Sequence, residues 1–335
     1  MVYAWLRIFN ISIVKTINQK MNQQFAQDVL EGLTATPKRL PSKYFYNKKG
    51  DAIFQAIMKL PEYYLTRAEY EALNTNKDAL LKEFSKAGSL PFNLIEFGAG
   101  DGFKTKVLLK HFLDQQADFR YVPIDISHNV LNQLSGGLKE ELPQLEVTPI
   151  CNDYFRALEE LKAEDNGRRN VVLFLGSNIG NFPENGAIQF LTQLGNGLRK
   201  DDLLLIGFDL KKNPEEILAA YNDKAGVTRA FNMNLLDRMN EELGANFIPD
   251  QFSHYPTYDP FTGQARSYLI SRKQQEVELL DQRIMFDQWE PIHMEISRKY
   301  DLGEIQRYAE AAGFAVDRNF FDCRHYFTDS LWEKK

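Results

Sequence analysis

The chain has 335 residues, 44% hydrophobic and 26% charged, with a formal net charge of −6. That length allows about two domains and a sizeable core, and the acidic balance without a Lys/Arg stripe argues against a nucleic-acid partner. Its two cysteines, Cys151 and Cys323, form neither a CxxC motif nor a Cys/His cluster, which disfavours a disulfide framework or a zinc site and fits a reducing cytoplasm.

The opening stretch, "MVYAWLRIFNISIVKTINQK", is partly apolar, but Arg7 and Lys15 interrupt it. The apolar runs between these charges are too short to span a bilayer, and the stretch lacks a small-residue cleavage site, so no membrane anchor or signal peptide is expected. Residues 1–20 read as a disordered extension before a translation start at Met21. Residues 22–33 have helical spacing, with Phe25, Val29 and Leu33 on one face. The turn formers and aromatics of 36–51 read as a loop, and a long helix is expected after about Thr66. Strands are then expected at 92–97, 119–125, 145–150, 170–176 and 202–210. Helices are expected between most of them, including one capped by Ser127 and one from Glu184. Continuous apolar strands alternating with helices imply a parallel sheet covered on both faces.

After Asp209 the pattern changes. Helical segments are expected at about 213–222 and 228–243. Alternating segments follow, "ARSYLISRKQQEVEL" and "PIHMEISRKY", then a helix over 301–314 and a closing hairpin. Residues 211–300 therefore read as an insertion that forms a second domain with the N-terminal aromatic loop. The expected division is 21–67 plus 211–300 for the substrate-binding domain. The sheet domain takes 68–210 plus 301–335.

The stretch "NLIEFGAGDGFKT" (93–105) puts three glycines after a strand and before a helix. A dinucleotide fingerprint requires G-x-G-x-x-G and an acid about 20 residues on. Here Phe103 stands at the last glycine position, and the next strand-end acid, Asp125, comes later than that. No P-loop motif is present either. S-adenosylmethionine fits the spacing better. Gly98 and Gly100 let the backbone approach the ligand, and Asp125 at a strand end can accept from both ribose hydroxyls. Asp153 after the next strand can contact the adenine amino group. Taken singly, Asp125 and Asp153 read better as helix N-caps; the glycine turn and both acids in order favour the cofactor.

The motifs "PSKYFYNKKGDAIFQAIMKLPEYYLTRAE", "IEFGAGDGFKT", "VPIDIS", "LFLGSNIGNF", "AAYNDKAGVTRAFNMNLLDRMNEELGANF" and "HMEISRKY" run through residues 36–335. Together they resemble the histidine-specific, S-adenosylmethionine-dependent N-α-methyltransferases of ergothioneine biosynthesis. That family also holds fungal enzymes acting on tryptophan-derived substrates. The resemblance implies an α/β fold: a class I, Rossmann-like methyltransferase sheet with a second, mixed α+β substrate-binding domain. It implies Tyr63, Gly98, Gly100, Lys104, Asp125 and Asp153 as cofactor contacts. Tyr46, Gly176, Asn181, Tyr221, Ser267, Glu295 and Ser297 follow as substrate contacts, with Tyr46 and Asn181 at the reacting amine and Glu295 and Ser297 reading the imidazole. Ser267 stands where the family often has a ring-lining methionine; a one-residue slip would put Tyr268 there. Asn178 stands where threonine is common.

The expected enzyme is thus a cytoplasmic, monomeric methyltransferase using S-adenosylmethionine, yielding S-adenosylhomocysteine and requiring no metal. Its expected substrate is a small amino acid, L-histidine, methylated on the α-amine to N,N,N-trimethylhistidine. The alternatives are the same chemistry on another amino acid or amine, or a non-catalytic cofactor-binding sensor.

Overall fold

The structure is a computed structural model and describes residues 23–335 apart from 87, 89, 165 and 166; the extension expected over 1–20 and the start at Met21 lie outside the described residues. In chain order, α1 (23–34), α2 (Lys48–Ile57) and α3 (Leu65–Phe84) precede β1 (Phe92–Phe97), α4 (Lys106–Asp114), β2 (Phe119–Asp125) and α5 (His128–Glu141). Next come β3 (Ile150–Cys151), α6 (Tyr154–Glu164), β4 (Arg169–Phe174), α7 (Glu184–Gly197) and β5 (Leu203–Asp209). Helices α8 (Pro214–Tyr221) and α9 (Val227–Leu243) lead into β6 (Phe252–Asp259), β7 (Gln264–Ser271), β8 (Gln275–Leu279), β9 (Gln282–Phe286) and β10 (Pro291–Arg298). The chain closes with α10 (Leu302–Ala311), β11 (Phe314–Phe321) and β12 (Phe327–Lys334).

Seven strands form one sheet in the order β11-β12-β5-β4-β1-β2-β3. The pairs β1/β2, β1/β4, β4/β5 and β2/β3 are parallel, while β12 runs antiparallel to both β5 and β11. The central strands are buried along their whole length, as their unbroken apolar runs require. Alternation splits each strand between two cores. Ile95, Phe97, Val172, Phe174, Leu204 and Ile206 pack with α6, α7 and α10 residues such as Leu158, Leu191 and Tyr308. Phe92, Leu94, Val171, Leu173, Leu203 and Leu205 pack with α3, α4 and α5 residues such as Leu73, Leu108 and Leu134. Strand order reverses between β1 and β4, so their carboxyl ends flank the switch point where such sheets bind ligands.

Contacts divide the chain into two compact units. The sheet unit comprises Tyr64–Pro214, Pro260–Gln264 and Ser297–Lys335; the split unit comprises the described residues up to Tyr63 with Glu215–Asp259 and Ala265–Ile296. The split unit has its own core, in which Phe25, Val29 and Leu33 of α1 meet Phe231, Leu235 and Met239 of α9. Leu269, Ile292 and Met294 of its three-stranded sheet, order β10-β7-β6, and Phe286 of the β8–β9 hairpin complete that core.

Two elements differ from the sequence reading. The strand expected over 145–150 contracts to Ile150–Cys151, preceded by a lone Tyr121↔Val147 bridge, because Pro149 has no N–H for a ladder. Residues 48–51 belong to α2 rather than to a loop. Asn47 caps this helix by accepting the Gly50 N–H at 2.8 Å, so "NKKGD" is a helix start with the look of a turn. Helix α6 begins directly after Asp153, which accepts the Arg156 N–H at 3.1 Å, as the helix N-cap reading of that acid requires. Among the described residues no helix is long and apolar enough to cross a membrane.

Candidate active site

In the sheet unit, most of the expected positions stand at or just beyond strand carboxyl ends. The turn after β1 holds Gly98, Gly100 and Gly102, all with φ between +56° and +66°, a conformation that side chains with a Cβ resist. No atom would lie within 4 Å of a Cβ at Gly100, so the turn presents open backbone there; a Cβ at Gly98 would lie 3.1 Å from the Tyr154 hydroxyl. Asp125 ends β2, and its Oδ1 accepts the Ser127 N–H at 2.8 Å. Burial raises the Asp125 pKa against the pull of the Ser127 and Ile126 amides. Tyr154 stacks on Phe97 at 4.5 Å, and burial together with the Asp125 charge pushes its hydroxyl up to about 12. Gly98, Asp125 and Tyr154 are therefore neighbours. Asp153 is exposed and pairs with Arg156 at 3.4 Å.

A second group gathers at Lys104 and Gly176. Glu69 of α3 binds the Lys104 ammonium through Oε2, and its Oε1 accepts the Gly176 N–H at 2.6 Å. Asn181 ends a 3-10 turn, Asn178–Asn181, directly after β4. Gly180 inside that turn lies so close to residue 298 that a Cβ would sit 2.7 Å from the Arg298 carbonyl oxygen. This close approach brings the Asn181 turn beside the end of β10, where Ser297 is buried and accepts from Lys299 Nζ at 2.8 Å. Lys299 pairs in turn with buried Asp209 at 2.9 Å, and the Asp209 N–H donates to Ser177 Oγ at 3.0 Å.

In the split unit, Tyr46 packs edge-on against Phe54 and Phe231, each at 5.5 Å, and Phe54 meets Tyr63 at 6.2 Å. The Tyr46 ring keeps 44% of its surface, yet the packing around its hydroxyl, then the charges of Glu295 and Asp51 and the nearby Tyr221, raise its pKa. Tyr46 therefore remains a neutral phenol near neutrality, a hydrogen-bonding group rather than a phenolate base. Tyr221 ends α8 and is buried.

Strand alternation separates Ser267 from Glu295. Ile292 and Met294 of β10 face the core, so His293 and Glu295 take the other face. On β7, Ser267 is buried with Ala265 and Leu269, whereas Tyr268 meets the His293 ring at 5.5 Å. Tyr268, rather than Ser267, thus shares the face of Glu295. The Ser267 hydroxyl lies in the core without a hydrogen-bond partner.

Residues 25–334 match the family model for histidine-specific, S-adenosylmethionine-dependent methyltransferases. The chain belongs to this family. It is 37% identical to the histidine N-α-methyltransferase of Mycolicibacterium smegmatis, over 82% of this chain and 84% of that protein. It is 35% identical to the histidine N-α-methyltransferase of Mycobacterium tuberculosis, over 86% of this chain and 88% of that protein. It is also 32% identical to ergothioneine biosynthesis protein 1 of Schizosaccharomyces pombe, over 76% of this chain but only 33% of that longer protein.

As a member of this methyltransferase family, the chain uses S-adenosylmethionine, and the glycine turn with Asp125 is suited to it. The turn offers bare backbone, and Asp125 offers an acceptor at the neighbouring strand end. Sequence reading missed Tyr154 and Glu69. Tyr154 directly follows Asp153 and was within reach of the same reasoning. Glu69 sits inside "YLTRAE" but is marked out only by burial. Among the described residues, Glu71, Asp322 and Cys323 bring possible metal-ligating atoms within 4.8 Å of one another. The Asp322 carboxylate already accepts the amides of Arg324, Tyr326 and Phe327, which closes the turn into β12.

Proposed function

We propose that this enzyme methylates the α-amino nitrogen of L-histidine in the cytoplasm, proceeding to N,N,N-trimethylhistidine. The observation that carries this reading is the grouping of Tyr46, Tyr221 and Glu295, a carboxylate beside two phenols within the family framework. A partly buried carboxylate is costly unless a donor meets it, and an imidazole N–H supplies a charge-assisted hydrogen bond.

S-adenosylmethionine supplies an electrophilic methyl group on a sulfonium. Lys104 holds the carboxylate of its methionyl portion, Asp125 accepts from the ribose hydroxyls, and Asp153 meets the adenine amino group. Gly98 and Gly100 let the backbone approach, Gly176 borders the site, and Tyr63 adds an aromatic wall. Tyr221 and Asn181 hold the substrate's amino and carboxylate groups, while Glu295 and Ser297 read the ring. Tyr46, kept as a neutral phenol, accepts a hydrogen bond from the amine and with Asn181 orients its lone pair. The displaced proton leaves to water. Alignment of this kind can lower a barrier by roughly 7–11 kcal/mol. Aromatic faces such as Tyr46 stabilise the quaternary ammonium formed at the third transfer.

Incubation with S-adenosylmethionine and each of the twenty amino acids, followed by mass spectrometry, tests the reading. A trimethylated product from histidine alone is expected. Transfer to another amino acid would overturn the assignment of Glu295 as an imidazole reader and direct attention to Tyr268, which shares its strand face. Cofactor binding without transfer to any amino acid would favour a non-standard amine or a sensor.

A further inference from the structure

Three buried carboxyl groups face one cation beside the glycine turn. Glu69 on α3 is 1% exposed, Glu96 on β1 is 4% exposed and Asp329 on β12 is fully buried; Lys104 interacts with all three. These acids are not equivalent. Glu96 accepts from the Thr105 hydroxyl at 2.6 Å and from the Tyr121 hydroxyl. Neither Asp329 oxygen has a hydrogen-bond partner, and burial beside the Glu69 carboxylate pushes its pKa well above the usual carboxylate range, which favours its neutral form. Burial likewise lifts Glu96, to about 7. Of these three acids, Glu69 is the one that touches the cation directly, and it also takes the Gly176 N–H.

The place of Glu69 is built by other elements. Gly207 on β5 pairs with Asp329 on β12, and a methyl group at Gly207 would collide with Glu69 Oε1 and lie 3.0 Å from the Phe327 ring. The bare backbone at Gly207 is what admits the carboxylate. Against the cost of burial, Glu69 holds the Lys104 pKa above its ordinary value and so keeps the ammonium charged. An ammonium has three hydrogens on a flexible stem; one bond to Glu69 fixes its direction and leaves hydrogens for a ligand carboxylate.

We infer that Glu69 is a positioning residue for the methyl donor, aiming the Lys104 ammonium while pinning the Gly176 amide, so that the glycine turn and the loop after β4 hold one arrangement. This inference rests on the reading of Lys104 as the contact for the donor's carboxylate.

The test is calorimetric binding of S-adenosylhomocysteine, with steady-state kinetics for S-adenosylmethionine, on the full chain. Glu69→Gln keeps an acceptor for Gly176 but removes the charge, and weakens binding about ten-fold or more, the scale of one charge-assisted hydrogen bond. KM for S-adenosylmethionine rises by a similar factor while kcat changes less. Gly207→Ala removes no charged group and gives the same KM rise by displacing Glu69. In Glu69→Gln, Asp329 is the adjacent acid able to ionise instead, so adding Asp329→Asn costs more than the product of the single losses. A purely structural role would lower the unfolding temperature and leave the affinity of the folded fraction unchanged, which would overturn the inference. Lys104→Met separates the two levels. If it abolishes binding while Glu69→Gln and Gly207→Ala bind like the parent, the positioning role falls and the Lys104 contact stands. If it binds like the parent, the Lys104 contact itself falls, and the inference with it.

Discussion

In the sheet unit, Gly98 follows β1, Asp125 ends β2, Asp153 follows β3 and Gly176 follows β4, so one chain direction repeated across a parallel sheet delivers them all. In the split unit, Tyr46, Tyr221 and Glu295 come from an N-terminal loop, the end of α8 and an antiparallel strand, segments remote from one another in sequence. The first set is held largely by backbone topology, the second by side-chain packing such as the Tyr46–Phe54–Phe231 cluster. The proposed labour divides the same way: cofactor contacts mostly on the sheet unit, and much of the amino-acid recognition on the split unit.

Four perturbations break or sharpen that division. The largest concerns the charge buried in the sheet unit. Glu96 is lifted from 4.5 to about 7, so between those values the folded state binds more protons than the unfolded chain. Its contribution to stability is therefore present below about pH 4.5 and is lost as pH rises towards 7, by up to about 3 kcal/mol. Urea unfolding across this range shows that fall for the parent relative to Glu96→Gln; parallel curves would refute it. Next, Glu295→Gln lowers kcat/KM for histidine about 100-fold, the scale of a hydrogen bond to a charged group, while S-adenosylhomocysteine affinity stays within about two-fold. Equal losses in both would break the division. Asp125→Asn gives the reverse pattern, a loss of about ten-fold in S-adenosylhomocysteine affinity by calorimetry, with KM for histidine at saturating donor nearly unchanged. The smallest effect is that of Tyr46→Phe, which keeps the ring packing and lowers kcat about three-fold to ten-fold through the lost hydroxyl; a far larger loss would make the phenol a proton acceptor, against its raised pKa.

The same contrast explains what was legible in the sequence. Strands β1, β2, β4 and β5 were readable because burial on both faces leaves continuous apolar runs, and Asp125 because it ends such a run. Strand β3 was overdrawn because Pro149 stops the ladder that Leu145 and Val147 suggest. Helix α2 was hidden because Gly50, buried in its first turn, reads as a turn residue. Tyr46, Tyr221 and Glu295 carry no local signal, since nothing in the spacing of residues 46, 221 and 295 says that they meet; only the family resemblance named them. Glu69 was invisible for a related reason: on a helix a glutamate is ordinary, and only the tertiary neighbours Lys104, Gly176 and Gly207 make it unusual.

The most direct test of the central claim is the position of the methyl groups on product formed from histidine, located by tandem mass spectrometry. With Glu295 reading the ring and Tyr46 beside the amine, all of the methyl groups belong on the α-nitrogen and the imidazole is unmodified. Methyl groups on a ring nitrogen would mean that the imidazole, not the amine, faces the donor, and would contradict the roles of Glu295 and Tyr46 together.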